Sequence, residues 1–414
     1  MKNKYLLPGL SFFFLIIILI YLANLYTYAN DYHGYIIGDW LITFRAGFVR
    51  RGLSGSSMLA LSDLLNIPAN FVVMFIQMIL YLIYMFTFFF LIRKKEIDIW
   101  FILLLLSPAT LLFPINDSAT VGRKEIMLFC IFGFYLYCLS KKMLENYFMV
   151  SVFSIALLIA TLFHELIFFY TPYFIVAAYI NSVRDKQPFR PSKPLLVILG
   201  SALIMVPLYY SKTIYGGIIC EELVKRGLKS KVCFGVIGGP YEFSFSTLLD
   251  MYSNDGYYWS YGIGLLLGLI PVVLWLKNLK SEVVSLKKAL IAVLLLFLFS
   301  FPLFFLAIDW GRWINIHFIM LIFTFTLLLK DRSLEWKNEK FTIPSFWRSK
   351  RKPLRLLNNA IFLAICFAYL SFWQMRHYGS FPVFYLDKYA TWEREVYETI
   401  GVTEELFMVD FGDI

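Results

Sequence analysis

Residues 70–92 read NFVVMFIQMILYLIYMFTFFFLI, a stretch without a single charged side chain. It is longer than the roughly 20 apolar residues that an α-helix needs to cross the hydrocarbon core of a bilayer. In lipid the backbone has to satisfy its hydrogen bonds internally, and a helix does so within one segment. The stretch therefore predicts a membrane-spanning helix.

Similar apolar runs recur along the chain. They lie near 6–28, 70–92, 98–115, 126–140, 146–163, 166–181, 194–210, 258–276, 289–308, 313–329 and 356–374. Of the 414 residues 60% are hydrophobic and 16% are charged, too few charges to coat a soluble protein of this size. We predict an all-α, polytopic integral membrane protein with about 11 transmembrane helices. We expect residues 1–374 to form its helical domain, and the first run to be a retained helix because no small-residue cleavage site follows it.

The segments between the runs alternate in charge. Most of the 38 Lys and Arg residues fall in the N-terminal tail, 93–97, 141–145, 182–193, 277–288 and 330–355. Loops rich in Lys and Arg face the cytoplasm. The N-terminus is therefore predicted to be cytoplasmic and the C-terminus outside. Outer loops 29–69 and 211–257 and an extracytoplasmic tail, 375–414, follow from this, and the net charge of +10 reflects topology rather than nucleic-acid binding.

Several cations occupy the outer side, against this bias. They are Arg45, Arg50, Arg51, Arg123, Lys124 and Arg312. Guanidinium groups bind phosphate oxygens through two parallel hydrogen bonds. We therefore predict that these residues, with Asp117 and Asp309 beside them, bind the phosphate or pyrophosphate and glycan of a lipid-linked substrate.

Acidic residues at the same level suggest chemistry. Sugar transfer with inversion needs a base for the acceptor hydroxyl and cations for the departing phosphate. Asp39, in the first outer loop, is the first candidate for the base and Glu165, where the fifth run ends, is the second. His164 is a candidate base or proton relay. We predict no metal and no cofactor.

Each feature also has a structural interpretation. Arg50 and Arg51 would anchor an amphipathic helix over 48–65 to lipid phosphates. Residues 122–125 would form a solvated turn with a local ion pair, and Asp309 and Arg312 a pair that links helices. His317 would be a bundle histidine, and Glu404 and Glu405 part of a solvated face. Cys220 and Cys233 share one outer loop and would form a disulfide in an oxidising compartment.

The layout resembles two kinds of bacterial inner-membrane enzyme. Asp39 matches the acidic residue in the first outer loop of polyprenyl-dependent glycosyltransferases of GT-C architecture, and Asp31 is a poorer match; no paired acidic motif follows the first run. Length, span number, composition and long outer loops resemble Wzy-type O-antigen and capsule polymerases.

The second resemblance implies polymerisation of undecaprenyl-pyrophosphate-linked repeat units on the outer face. The outer-loop arginines would hold the glycan, and a chain-length regulator and a flippase of the same pathway would be partners. The first implies transfer of single sugars from a polyprenyl-phosphate donor. A lipid-linked glycan flippase or transporter ranks below both, because the span centres are apolar and no internal repeat is visible.

Overall fold

The computed structural model describes residues 6–211, 216–238, 245–254, 256–279, 285–331, 352–379, 381 and 383–384. Its α-helices within those ranges are α1 Leu6–Asn30, α2 Gly52–Leu65, α3 Ala69–Ile92, α4 Ile99–Leu105, α5 Phe113–Asn116, α6 Ile126–Ser140, α7 Tyr147–Phe163, α8 Pro172–Arg184, α9 Ser192–Tyr209, α10 Gly216–Lys225, α11 Phe245–Asn254, α12 Tyr257–Asn278, α13 Leu286–Ser300, α14 Leu303–Leu306, α15 Trp310–Phe325 and α16 Lys352–Ser371. No strand occurs in the same ranges. The predicted all-α class is confirmed.

Six described segments are long and apolar enough to cross a membrane. They are Pro8–Asn30, Ala69–Ile92, Glu165–Arg184, Ser192–Tyr209, Tyr257–Asn278 and Leu286–Leu306. Three shorter apolar helices accompany them, Ile126–Ser140, Tyr147–Phe163 and Ala360–Ser371. The protein is therefore a helical membrane protein.

The run at 98–115 is not one helix, contrary to the prediction. α4 ends at Leu105 and α5 begins only at Phe113. Pro108 has no N–H to donate and disfavours helical backbone before it. The carbonyls released by the break find side-chain donors: Thr110 Oγ1 donates to Leu105 O (2.7 Å), and Asn315 Nδ2 donates to the carbonyls of residues 109 and 110 (both 2.9 Å). Such a break is tolerated inside a membrane protein because it is buried among other helices.

α15 lies at the centre of the bundle. Every residue from Gly311 to Phe325 is buried, and the helix contacts α6, α8, α12 and α13. A helix buried on all sides belongs to the interior. His317 on this helix bonds through Nδ1 to the Tyr173 hydroxyl (3.0 Å) and through Nε2 to Ser300, so the prediction of a bundle histidine is confirmed.

The bundle has two distinct ends, which α3 joins. Its 24 residues span about 36 Å at 1.5 Å per residue. Beyond its last residue, Lys95 pairs with Asp331 (3.0 Å). At the same end, just before α7 begins, the Glu145 carbonyl accepts a hydrogen bond from Lys193 Nζ (2.8 Å). Segments predicted to be cytoplasmic thus meet each other at one end of the bundle.

At the other end the two long loops pack together. Cys220 and Cys233 form a disulfide between α10 and the 3-10 turn Ser230–Cys233. This disulfide-bonded segment, 216–238, covers the first loop so closely that a Cβ on Gly34 would lie 1.2 Å from the Phe234 carbonyl oxygen. The helix expected within 48–65 is present as α2.

The segment after α16 returns to the bundle before the described residues end. Gln374 N donates to Val383 O (2.8 Å), and Trp373, Met375 and His377 are buried. The start of the predicted tail, 375–414, is thus packed against the helices. Glu404 and Glu405 lie outside the described residues.

Candidate functional site

Charged side chains from distant segments meet at the end of the bundle that carries the disulfide. We call them the charged cluster: Asp39, Arg51, Arg123, Lys124, Glu125, His164, Glu165, Asp309 and Arg312. Short elements between the long helices position them. Asp39 lies in the 3-10 turn Gly38–Leu41, Arg51 immediately precedes α2, and Arg312 lies in the first turn of α15.

Arg51 joins the first half of the cluster. Its Nη1 lies 3.1 Å from Asp39 Oδ1, and its Nη2 and Nε lie 2.8 and 3.1 Å from the two oxygens of Glu165. Lys124 Nζ lies 3.5 Å from Asp39 Oδ2 and donates to the Asp39 carbonyl at 2.6 Å. Both oxygens of Asp39 therefore face cations. Arg51 is not a lipid anchor here, because it is bound to two carboxylates.

Arg312 joins the second half. Its Nε and Nη2 donate to the two oxygens of Glu125 (3.0 and 2.9 Å), and its Nη1 donates to Asp309 Oδ2 (2.8 Å). The predicted Asp309–Arg312 pair is present. Arg312 also forms a bidentate ion pair with Glu125, a residue that was not predicted to belong to the site. Paired hydrogen bonds of this kind are among the strongest in proteins.

The segment 122–125 is buried, so the alternative interpretation of it as a solvated turn is wrong. The Lys124 side chain has no exposed surface. The Gly122 carbonyl accepts from Trp40 Nε1 and Gln77 Nε2, both at 2.7 Å. These two donors hold the turn beneath the first loop and so direct Lys124 toward Asp39.

The predicted phosphate-binding arginines are only partly brought together. Arg45 and Arg50 are exposed, and neither forms an ion pair with another described residue. Arg123 is buried, yet it also lacks a carboxylate partner among the described residues: Nε and Nη1 donate to the carbonyls of Ala119 and Tyr35 (both 3.1 Å). Its Nη2 has no described partner, which makes Arg123 the cation of the cluster with the most capacity for an anion.

Burial and neighbouring charges shift the pKa values of both Asp39 and Lys124. Burial alone would raise the pKa of Asp39, but Lys124 and Arg51 outweigh it and hold that pKa well below its usual range. Burial lowers the pKa of Lys124 to about 8 even though Asp39 raises it. At neutral pH both groups are therefore ionised, and as pH rises above about 8 Lys124 loses its charge while Asp39 stays ionised.

Lys124 should make stability depend on pH. Its pKa is about 8 in the folded protein and 10.5 ordinarily, so between these values the unfolded chain binds more protons and stability rises with pH. Relative to Lys124→Met, which does not titrate, the wild-type melting temperature in detergent should increase from pH 8 to 10.5. A difference that stays constant over this interval would contradict the assigned pKa.

The contacts of His164 are longer than those of the arginines in the cluster. Leu166 N donates to its Nδ1 at 3.4 Å, and the same atom lies 3.6 Å from Glu165 Oε2. Burial and the cation of Arg51 lower the pKa of His164, so its imidazole is neutral at neutral pH.

A histidine that was not predicted lies beside the cluster. His377, which follows α16, donates from its backbone N to Asp117 Oδ2 (2.8 Å), and its Nδ1 lies 2.6 Å from the same oxygen. It also acts electrostatically on Asp309. The two partners are 260 residues apart, so no local pattern could reveal them.

The cluster combines four cations, four carboxylates and one neutral imidazole. This set can bind an anion through Arg123 and can exchange protons. No group of three or more His, Cys, Asp or Glu side chains among the described residues is arranged to hold a metal ion. Comparison with known proteins finds no matching family model, no matching curated protein and no matching solved structure.

Proposed function

We propose that the protein is a membrane glycosyltransferase that passes a glycan from a polyprenyl-linked phosphate donor to an acceptor hydroxyl. The charged cluster is the observation that supports this proposal. Burying an ion costs several kcal/mol, and apolar side chains often replace a buried ion pair without loss of stability. Ionisable groups retained within a membrane bundle usually serve a substrate or a proton.

In this proposal the cluster faces the periplasm or exterior of a bacterial inner membrane, with the N-terminus cytoplasmic and about 11 spans. Two features support the orientation. Lys- and Arg-rich segments meet at the opposite end, where Lys95 and Lys193 make their contacts. The Cys220–Cys233 disulfide lies at the cluster end, and disulfides persist in oxidising compartments.

Two reactions fit this site, each favoured by a different observation. Exposed Arg45 and Arg50, which pair with no described carboxylate, offer cations outside the cluster, and this suits polymerisation of undecaprenyl-pyrophosphate-linked repeat units into O-antigen or capsule. Such a polymerase would work with a chain-length regulator and a flippase. Inside the cluster Arg51 and Arg312 are neutralised, and Arg123 is the arginine without a carboxylate partner among the described residues; one such guanidinium suits a monophosphate donor of single sugars.

The glycan ladder of a deletion strain tests the proposal. Loss of long chains with one repeat unit retained would support the polymerase, and a shift in the size of a single unit would support single-sugar transfer. Loss of all glycan would point to a flippase, and an unchanged ladder would remove the protein from this chemistry. Loss of all glycan and an unchanged ladder would each contradict the proposal.

Plasmid copies locate the site in the same assay. Arg123→Gln should fail to restore the ladder, because a hydrogen bond to a charged group contributes about 1.5–3 kcal/mol, roughly 10- to 100-fold in rate. Arg190→Gln is the matched control, since Arg190 is exposed and lies in a segment of the opposite end. Immunoblots should show equal amounts of both variants. Full restoration by Arg123→Gln would remove the phosphate-binding role from Arg123.

A further inference from the structure

Asp117 and His377 form a buried carboxylate–histidine pair. Their side chains are 10% and 9% exposed. Burial raises the pKa of Asp117, but the hydrogen bonds from the ring and the backbone N of His377 outweigh it and lower that pKa, so the carboxylate is ionised. An ionised carboxylate only accepts hydrogen bonds. The hydrogen between the pair therefore belongs to Nδ1 of His377, and the neutral tautomer that this bond selects has its lone pair on Nε2.

Three of the four carboxylates of the cluster are poorly suited to accept a proton. Asp39 has both oxygens on Arg51 and Lys124, and Glu165 and Glu125 each have both oxygens on one arginine. Each would have to release a cation first. Nε2 of His377, in contrast, has no hydrogen-bond partner among the described residues.

His164 is a weaker alternative to His377. Among the described residues the one carboxylate within 4 Å of its ring is Glu165, which lies 3.6 Å away and is bound to Arg51. A cation beside an imidazole disfavours the imidazolium that a base has to become. The ring of His377, in contrast, is hydrogen-bonded directly to a carboxylate, that of Asp117.

The surroundings of His377 place it at the cluster. Gly311 N donates to its carbonyl (3.2 Å), which ties it to the first turn of α15 beside Arg312. The charged and titratable groups around it are Asp117, Asp309, His33, Arg376 and Tyr378. Asp309 has one oxygen without a described partner.

We propose that His377 is the catalytic base of the transfer and that Asp117 is its positioning residue. This inference rests on the proposed function. The acceptor hydroxyl oxygen forms a bond to the anomeric carbon of the donor, and the bond from that carbon to the phosphate oxygen breaks with its electron pair leaving on the lipid phosphate. The hydroxyl proton passes to Nε2 of His377 and then to solvent.

The test uses the full-length protein purified in detergent, with the polyprenyl-linked lipids extracted from the deletion strain as donor and acceptor. His377→Ala should lower kcat by roughly 10²- to 10⁴-fold, the usual contribution of a general base, and leave KM nearly unchanged. Added imidazole should restore part of the rate, because it supplies the missing base. Asp117→Asn should lower kcat less. His33→Gln is the matched control, a nearby histidine whose Nδ1 has no partner among the described residues, and it should keep the wild-type rate.

Each outcome has a defined meaning. Wild-type turnover together with full activity of His377→Ala would overturn this inference and leave the proposed function intact. A lower rate that imidazole does not restore, with a lower melting temperature, would assign His377 a structural role and also overturn it. His377→Gln repeats the measurement with a larger side chain in case the alanine variant does not fold. Absence of transfer by the wild type would overturn the proposed function and this inference with it.

Discussion

Arg312→Ala should lower the free energy of unfolding by about 3–5 kcal/mol, as expected when one partner of a buried ion pair is removed. Glu125 has both oxygens on Arg312, and its side chain is 9% exposed. Without the guanidinium this carboxylate is left buried and unpaired. Denaturant or thermal unfolding in detergent measures the loss, and the variant should also fail to restore the glycan ladder.

A double variant separates stability from function. Glu125→Gln with Arg312→Met removes both charges, so most of the stability should return. The ladder should stay defective, because the cation that pairs with Asp309 is gone. If Arg312→Ala alone unfolds like the wild type, Glu125 has another way to be neutralised and the cluster is not organised around this pair.

The second large effect is expected from Gly311→Ala. A Cβ at this position would lie 1.8 Å from the Arg376 carbonyl oxygen and 2.8 Å from its carbon, closer than side chains approach backbone. Because this obstacle is backbone, residues 376–377 must move, and the Gly311–His377 hydrogen bond is lost. Overpacking of this kind typically costs 1–3 kcal/mol, as an order of magnitude. The displaced His377 should lower activity as well.

Gly262→Ala is the matched control for this substitution. Gly262 lies inside α12, and a Cβ there would meet nothing within 4 Å. Alanine stabilises a helix interior by roughly 0.5–1 kcal/mol relative to glycine, so this variant should melt at the wild-type temperature or above it. Equal behaviour of the two variants would contradict the close approach at Gly311.

The apolar runs predicted the helices well because lipid leaves the backbone few alternatives. The break after Leu105 was missed for a reason that lies elsewhere in the chain. Pro108 alone is compatible with a kinked span, and the side chain that accommodates the broken backbone, Asn315, is 205 residues away at its nearest partner. Local sequence contains the proline but not the donor.

In the site, too, local features were predicted from the sequence and long-range partners were not. The alternation of charge indicated which segments share an end of the bundle, and Asp39, Arg51, Lys124 and Glu165 do meet there. Pairing within that end could not be predicted. Glu125 looked like half of a local pair with its neighbours, whereas its partner is Arg312, 187 residues later. Arg45 and Arg50 share a loop with Arg51, but only Arg51 turns inward.

The spacing of these partners along the chain also determines how long each ion-pair partner waits for the other during synthesis. Asp39 is followed by Arg51 after 12 residues, but Glu125 precedes Arg312 by 187. At 5–20 residues per second, a ribosome needs roughly 10–40 s to cover that interval. During this time the nascent chain carries a carboxylate at the membrane without its cation, and water or the insertion machinery must shield it until α15 arrives. The nascent chain is therefore exposed to proteolytic quality control throughout this interval, which ends only when α15 is inserted.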